Sequence, residues 1–278
     1  MTDATTLPDR TPQRVRHTLR FRDLEVQKAQ RLTPHLIRVT LGGPDLEGFS
    51  SPGFDDHVKL CFPDEATGSL ALPTVGADGP IWPEGRKPTM RDYTPRRYDA
   101  STQTLEIDFA LHEAGPATRW AEHAAVGQHI GVGGPRGSFL LPVDFDWHLM
   151  IGDDTALPAI SRRLEELPRG ARAIVLAEVD GATDHVELPS AASIEITWVH
   201  RTDSPTGTPP LLAALRAVHL PAGDFHAWIG CESAQAKALR AHLVSECQAN
   251  PKWIRASGYW RAGAAATHDS HDSWRLSP

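Results

Sequence analysis

The hydrophobic pattern of the chain changes once, and this change limits the possible folds more than any other feature. From His17 to about Val143 the apolar runs are short and are separated by glycine, proline and polar residues, which is typical of antiparallel strands. After Phe145-Asp146-Trp147, strand-length apolar runs alternate with stretches of helical periodicity. The sequence therefore predicts an antiparallel β-barrel or sandwich followed by a doubly wound parallel sheet.

The apolar runs also place individual elements. Strands of the first part are predicted at 36–41, 58–62, 105–111, 129–132 and 138–141. In the second part, strands are predicted at 148–151, 173–179, 194–199 and 225–229, and helices at 155–167, 211–220 and 234–248. Residues 180–193 show no helical period. The predicted organisation is a flexible tail (1–16), a barrel domain (17–145), an α/β domain (146–263) and a C-terminal tail (264–278).

Length, charge and cysteine content exclude several classes of protein. The 278 residues are enough for two ordinary domains. A net charge of −7 argues against a general binder of nucleic acid or anionic membranes. The three cysteines are widely separated, which supports neither a disulfide framework nor a zinc or iron–sulfur site. No signal peptide is recognisable, and no stretch approaches the ~18 apolar residues of a membrane span. We expect a monomeric, cytoplasmic protein without a membrane anchor.

Residues 91–96, Arg-Asp-Tyr-Thr-Pro-Arg, combine two guanidiniums with an aromatic ring and a hydroxyl. In a strand, Arg91 and Tyr93 would point to one face, and Thr94 and Arg96 to the other. An aromatic ring can stack on a flat heterocycle, a hydroxyl can bind its polar edge, and a guanidinium can bind phosphate. The segment therefore outlines a flavin nucleotide site, and the alternative is a solvated, salt-bridged strand.

A second segment, at 112–121, contains a predicted helix start. Gly115 is followed by Pro116, and proline is favoured at the first helical position. No Ser, Thr, Asp or Asn stands where it would cap the next amides, so the N–H groups of Ala117 and Thr118 are available to an anion. The alternative is an ordinary short surface helix.

Together these segments resemble the siderophore-interacting proteins, a branch of the ferredoxin reductase superfamily that binds FAD and reduces ferric siderophores with a nicotinamide donor. The resemblance covers most of the chain. Six segments carry it, in this order: Asp-His-Val-Lys-Leu (56–60), Arg-Asp-Tyr-Thr-Pro-Arg (91–96), Gly-Pro-Ala (115–117) with Trp120, Asp-Thr-Ala-Leu-Pro-Ala-Ile (154–160), Trp-Ile-Gly-Cys-Glu (228–232) and Gly-Tyr-Trp-Arg-Ala-Gly (258–263). It implies an FAD-binding barrel domain followed by a nicotinamide-binding α/β domain.

The resemblance also implies where the flavin binds. The flavin pyrophosphate is expected at the start of the helix at Pro116, and an aromatic residue after the last strand is expected to cover the flavin ring. The glycine-rich stretch 131–137 precedes a strand rather than a helix, so it is interpreted as a tight turn and not as a dinucleotide fingerprint. The residues predicted to bind FAD are Arg91, Tyr93, Thr94, Arg96, His112, Gly115, Ala117, Thr118, Trp120, Ser138, Tyr259 and Trp260.

The nicotinamide donor is expected at the carboxyl end of the first parallel strand. Thr155 and Ala156 are predicted to border the nicotinamide, and Asp154 is interpreted as the N-cap of the following helix. Arg201 follows a later strand, where a cation can pair with the 2′-phosphate of NADPH. We therefore expect NADPH as the donor, with NADH as the alternative.

The substrate implied by the resemblance is a ferric siderophore, a bulky and often anionic complex. It needs a shallow basic opening, for which the family motifs supply Lys59 and Arg261, and His57 shares the face of Lys59 in a strand. Electron transfer needs no acid or base catalyst, so no catalytic side chain and no resident metal are predicted. Reduction to Fe(II) weakens the complex because hard oxygen ligands favour the ferric ion.

Three other functions stay open. The same fold could reduce another acceptor, such as a small redox protein or a free flavin. The chain could instead bind or carry siderophores without turnover. A nucleic-acid-binding barrel is the weakest alternative, given the acidic balance.

Overall fold

The N-terminal part of the chain forms one curled antiparallel sheet. The computed structural model describes residues 10–83, 87–112, 115–203, 208–263 and 269–270. The strands of this sheet are β2 (Phe21–Thr33), β3 (Leu36–Gly42), β4 (Val58–Cys61), β7 (Met90–Tyr93), β8 (Pro95–Asp99), β9 (Thr104–Ala110) and β10 (His129–Gly133). Their order is β7-β4-β10-β2-β3-β9-β8. Only Thr94 separates β7 from β8, yet these strands occupy opposite edges. The two edges are therefore joined through Thr94, and the sheet curls into a half-barrel.

The barrel core is built by side chains that alternate along the strands. Leu105, Ile107 and Phe109 of β9 are fully buried at every second position, as expected for a strand with one face on the core. Trp120 packs on this core from the helix α1 (Pro116–Glu122), with its ring 5.5 Å from that of Phe109 and 5.7 Å from that of Phe62. Trp120 is therefore partly buried against the barrel core, and its flavin contact stays a prediction.

The N-terminal segment is fixed along much of the predicted flexible tail. Strand β1 (Gln13–Arg16) pairs with β11 (Gly137–Leu140). A separate short hairpin, formed by β5 (Thr74–Gly76) and β6 (Gly79–Ile81), lies elsewhere in the first part of the chain. The Arg10 guanidinium lies 4.6 Å from the ring centre of Phe145 and forms a 2.7 Å ion pair with Asp224. Residues 10–16 are thus held against the folded protein, and residues 1–9 lie outside the described part.

The second part of the chain is the predicted doubly wound sheet. Its strands are β12 (Trp147–Asp153), β13 (Arg172–Val179), β14 (Ser193–His200), β15 (Phe225–Glu232), β16 (Ile254–Trp260) and β17 (Asp269–Ser270). The order is β14-β13-β12-β15-β16-β17, and all neighbours are parallel except β16 and β17. The helices are α2 (Leu157–Glu166), α3 (Pro210–Ala217) and α4 (Ser233–Ser245). No helix in the described residues has the length and apolar character needed to cross a bilayer.

Helices cover both faces of this sheet. Leu164 of α2 is buried with Val175 on one face, whereas Leu215 of α3 and Leu239 of α4 are buried with Leu149 on the other. The crossover 180–193 contains a 3₁₀ turn at Ala182–Asp184 and no α-helix, as its sequence indicates. The strand β17 lies within the predicted C-terminal tail, of which residues 264–268 and 271–278 lie outside the described part.

Buried polar contacts join the two domains. Asp55, in the loop before β4, accepts hydrogen bonds from Trp228 Nε1 at 3.1 Å and from Arg255 Nε. Arg162 of α2 donates to the backbone oxygen of Ser51 at 2.8 Å. The carboxylate of Asp55 is only 4% exposed and its partner Arg255 only 12%. These contacts fix the orientation of the parallel sheet relative to the barrel.

Candidate active site

The carboxyl ends of the parallel strands lie next to the barrel edge at Thr94. The Tyr259 hydroxyl hydrogen-bonds the side chain of Thr94. The indole of Trp260 lies 5.9 Å from the ring of His112, at an interplanar angle of 30°. Asp153 ends β12 and accepts a hydrogen bond from Trp260. We call Thr94, His112, Asp153, Tyr259 and Trp260 the junction cluster, and it lies where an open α/β sheet binds its ligand.

The first residues of the segment 91–96, from Arg91 to Thr94, lie at this barrel edge. Arg91 is half-buried, and its Nη1 donates to the carbonyl of Met90 at 2.8 Å. Tyr93 packs against Phe109 with 4.5 Å between ring centres, and burial raises the pKa of its phenol. Thr94 is 6% exposed. Because β7 ends at Tyr93 and β8 begins at Pro95, the predicted two-face alternation stops at Thr94.

Arg96 occupies a different environment from the predicted one. Its guanidinium is buried and donates through both Nη atoms to the carboxylate of Glu165 on α2. Its Nε lies 4.0 Å from Asp108. This placement is at odds with a phosphate-binding role, because the charge of Arg96 is already offset at the domain interface.

The predicted helix start lies where the sequence places it. Helix α1 begins at Pro116, and Gly115 occupies the cap position in an extended conformation. Gly115 has no side chain to cap the helix, and within the described residues no side-chain acceptor for the amides of Ala117 and Thr118 is seen. Amides in this position can bind an anion.

The turn after β12 is organised by Asp153. Its Oδ1 accepts hydrogen bonds from the amide of Thr155 at 3.0 Å and from Thr155 Oγ1 at 2.5 Å, and its Oδ2 accepts one from Trp260 Nε1 at 2.8 Å. Asp153 caps the 3₁₀ turn Asp154–Ala156, which leads into α2. The N-cap of α2 itself is Ala156, so the prediction that Asp154 caps this helix is wrong, and Asp154 instead pairs with Arg201 at 2.7 Å. Burial and the neighbouring Asp154 raise the pKa of Asp153.

Arg201 is surrounded by carboxylates. Nη1 lies 2.7 Å from both Asp154 and Asp180, and Nε lies 2.9 Å from Glu178. These three carboxylates outnumber the single positive charge of Arg201, so the group as a whole is net negative. This charge is unfavourable for the predicted contact of Arg201 with a 2′-phosphate, which stays a prediction.

Ala156 is buried in the packing of the turn. It is fully inaccessible, and a methyl group placed on Gly152 would lie 2.5 Å from its Cβ. Close packing of the turn on β12 explains why the strand carries glycine there. The prediction that Ala156 borders the nicotinamide is at odds with this burial, whereas Thr155 is partly exposed beside it.

Ser138 belongs to a buried network below the barrel surface. Its hydroxyl donates to Asp56 at 2.6 Å and lies 2.7 Å from Nε2 of His17. Asp56 also accepts from the amide of Gly53 at 3.0 Å, and burial raises its pKa. This placement is at odds with a flavin contact by Ser138, because the residue is fully buried and its hydroxyl is used.

The predicted substrate residues are exposed, two of them on the barrel and Arg261 at the end of β16 in the α/β domain. Lys59 of β4 forms an ion pair with Asp92 of β7 at 2.7 Å, and its side chain is 49% exposed. His57 and Arg261 are exposed. Arg261 directly follows Trp260, so it extends the junction cluster toward solvent.

Two buried polar atoms at the junction have unmet hydrogen-bonding capacity. Among the described residues, Oδ1 of Asp154 and Nη2 of Arg201 have no hydrogen-bond partner. Nε2 of His112 lies 3.6 Å from Oδ1 of Asp154, which is longer than a hydrogen bond. Native proteins rarely leave such atoms unsatisfied, so the junction has capacity for a polar ligand.

Comparison with known proteins identifies the family. Residues 25–139 match the profile of the siderophore-interacting FAD-binding domain, and residues 145–263 match that of the siderophore-interacting protein. The NADPH-dependent ferric-chelate reductase of Escherichia coli is 38% identical over 91% of this chain and 98% of its own length. The chain belongs to the siderophore-interacting protein family.

Other members of the siderophore-interacting protein family agree in sequence and fold. The ferric vibriobactin reductase of Vibrio cholerae is 37% identical over 86% of this chain and 89% of its own length. A siderophore utilization protein from T. fusca has a crystal structure that matches with a TM-score of 0.84 and 40% identity, covering 95% of this chain and 100% of its own. The predicted family and fold class are confirmed.

The sequence prediction missed two residues that are important for the site. Asp153 connects this siderophore-interacting protein's β12 turn to Trp260, and Asp55 joins its domains. The only sequence signals were two acidic doublets, Asp153-Asp154 and Asp55-Asp56. In each doublet the sequence could not distinguish the carboxylate at the junction from its neighbour.

Proposed function

We propose that this chain is an FAD-dependent reductase that uses NADPH to reduce ferric siderophores and so releases iron as Fe(II). One observation carries the proposal: the flavin-type segment at the barrel edge meets the carboxyl ends of the parallel strands in the junction cluster. The printed functions of the Escherichia coli and Vibrio cholerae relatives, both ferric-chelate or ferric-siderophore reductases, support it.

The side chains at the barrel edge fit a flavin nucleotide. Tyr93 supplies an aromatic ring and Thr94 a hydroxyl, and the uncapped amides of Ala117 and Thr118 supply donors for a pyrophosphate. Arg91 is the guanidinium we propose for the phosphates. These residues would hold a flavin, which would supply hydride acceptance from a nicotinamide and single-electron transfer to an iron centre.

The α/β domain is proposed to hold the nicotinamide donor. Thr155 lies partly exposed at the carboxyl end of β12, next to the buried Asp153. Trp260 stands opposite, between this turn and His112, where it can shield the flavin site from water. We propose NADPH as the donor, in agreement with the printed name of the Escherichia coli relative, and NADH is the alternative.

The ferric siderophore is proposed to bind at the exposed side of the junction. Lys59, His57 and Arg261 supply cationic or neutral donors to an anionic complex. Because electron transfer needs no proton donor on the protein, these residues act only in binding. Reduction of Fe(III) to Fe(II) weakens the binding of the metal by hard oxygen ligands and so releases it.

We also propose a cytoplasmic monomer with a barrel domain at 17–145 and an α/β domain at 146–263. The described cysteines Cys61, Cys231 and Cys247 are all free thiols, which supports a reducing compartment. Nicotinamide donors are available in the same compartment.

Steady-state turnover tests the function against its alternatives. With NADPH, a ferric siderophore and a ferrous chelator, we expect nicotinamide oxidation and coloured ferrous chelate to rise together. Tight siderophore binding without nicotinamide oxidation would select the carrier. Nicotinamide oxidation only with a redox protein or free flavin as acceptor would select a different reductase.

A further inference from the structure

A single hydrogen bond connects two strands that are not neighbours. Asp153 ends β12 and Trp260 ends β16, with β15 between them in the sheet. The Trp260 Nε1–H group donates to Oδ2 of Asp153 at 2.8 Å. The bond therefore reaches across the carboxyl end of β15, at the point where the parallel sheet faces the barrel.

The carboxylate of Asp153 is held in place independently of Trp260. Its Oδ1 accepts both hydrogen bonds of Thr155, at 3.0 and 2.5 Å, so that Oδ2 is left for the indole. Asp153 is 1% exposed. A fixed, buried acceptor with one oxygen directed at Trp260 is suited to set the position of the ring.

Trp260 has few other means of being positioned. Its indole carries a single hydrogen-bond donor, and this donor is used on Asp153. One side of the ring lies near His112 of the barrel, 5.9 Å away. The ring is only partly buried, because it stands at the surface of the junction cluster. Rotation of the indole away from the junction thus requires the Asp153 bond to break.

We propose that Asp153 is a positioning residue that holds the Trp260 indole across the flavin site, so that this hydrogen bond controls how easily the nicotinamide ring reaches the flavin. The inference rests on the proposed function. A nicotinamide ring must take the place of the indole, and a hydrogen bond to a carboxylate is costlier to break than a neutral one. The Asp153–Trp260 bond therefore opposes donor binding and protects the site when no donor is present.

Two measurements test the inference: equilibrium binding of NADP⁺ and anaerobic stopped-flow reduction of the flavin by NADPH alone. Both are made at about pH 8.5, where Asp153 is ionised because its pKa is raised only to about 7. The variants are Trp260→Phe, which keeps a ring but removes the N–H donor, Asp153→Asn, which keeps the shape but removes the charge, and the double variant. We expect Trp260→Phe to lower the half-saturating NADPH concentration by about tenfold, the typical effect of one charge-assisted hydrogen bond, with the limiting rate little changed. Asp153→Asn should lower it by about threefold, because a neutral acceptor holds the indole less tightly.

The double variant separates positioning from a general structural role. If Asp153 acts through the indole N–H, Asp153→Asn has no further effect in the Trp260→Phe background. Trp253→Phe is the matched control, because it makes the same chemical change just before the start of β16, and it should leave the NADPH dependence unchanged.

The outcomes distinguish this inference from the proposed function. A wild-type flavin that NADPH does not bleach would reject the donor chemistry itself. Bleaching in the wild type, combined with unchanged half-saturating NADPH in Trp260→Phe or with additive effects in the double variant, would overturn the role of Asp153 alone. If Asp153→Asn does not fold, the Trp260→Phe result decides.

Discussion

Two substitutions at one surface ion pair should change siderophore reduction in opposite directions. Lys59 is paired with Asp92 at 2.7 Å, so part of its charge is offset in the resting protein. Lys59→Ala removes the cation proposed to face the anionic complex, and Asp92→Asn removes the carboxylate that competes for it. We expect the KM for the ferric siderophore to rise in the first variant and to fall in the second.

The magnitude follows from the exposure of the pair. The Lys59 side chain is 49% exposed and that of Asp92 is 25% exposed, so water screens both charges. One unit charge about 4 Å from another contributes about 1 kcal/mol in water, which corresponds to about a fivefold change in KM. Exposed ion pairs contribute only about 0.2–1 kcal/mol to folding, so the melting temperature should change little.

The assay is steady-state formation of a ferrous chelate at constant NADPH, with flavin content measured in each preparation. Lys28→Ala removes an exposed lysine from β2 of the same domain and is the control for net charge. The effect of Lys59→Ala should diminish at high salt. A KM that is unchanged in Lys59→Ala, or that rises in Asp92→Asn, would refute the placement of the substrate at this pair.

Three further predictions concern flavin binding and stability. Arg91→Ala should reduce the ratio of flavin to protein absorbance after purification. Arg96→Ala should retain flavin and lower the free energy of unfolding by about 1–2 kcal/mol, because Glu165 on α2, whose side chain is 38% exposed, loses its buried partner. The reverse pattern would restore Arg96 as a phosphate ligand. Asp55→Ala should cost about 3 kcal/mol, because it leaves a buried guanidinium and an indole N–H of the other domain without their acceptor, and a loss below about 1 kcal/mol by denaturant titration would contradict this. Burial, with a smaller contribution from a nearby arginine, lowers the pKa of His148 to about 3 and lowers that of His226, so both stay neutral when folded and become protonated on unfolding. The contribution of these two histidines to stability should be full above about pH 6.5 and should fall below it by about 1.4 kcal/mol per histidine per pH unit, whereas the raised pKa of Asp153 acts in the opposite direction. A shift of the unfolding midpoint between pH 7 and 5 that is the same in His148→Gln as in the wild type would argue against neutral burial.

The parallel-sheet half of the fold was predictable because its elements carry their own periodicity. β13 is buried at seven of its eight positions, and the predicted strand 173–179 differs from it by one residue. The strands of the barrel were less predictable from the sequence. β2 extends over 13 residues, but only its first half shows inward apolar positions, Leu24 and Val26, before an exposed run at 27–31. That second half is held by pairing with β3, which no local pattern indicates.

The candidate site was predictable in its location but not in its charge pairing. The motif segments indicate which chemical groups gather at the junction, and Thr94 and Trp260 are found there. The partner of Arg96 lies 69 residues away, and one partner of Arg201 lies 47 residues away. Local sequence shows that an arginine is present, but the tertiary fold decides whether its charge is free.

The capping aspartate illustrates the same limit at short range. Asp153 and Asp154 are adjacent and chemically identical, and either could cap the turn that follows β12 by type alone. The backbone decides: Asp153 has the extended conformation of a cap, with φ −92° and ψ −174°. Its side chain therefore accepts from Thr155, and that of Asp154 is directed to Arg201.

An anaerobic visible spectrum tests the central claim most directly. The purified protein is recorded alone, then with NADPH, and then with a ferric siderophore and a ferrous chelator. We predict a flavin spectrum that bleaches with NADPH and returns on addition of the ferric complex, with about two ferrous chelates formed for each NADPH oxidised. A protein that stays colourless after incubation with FAD, or a bleached flavin that the ferric complex does not reoxidise, would contradict the account.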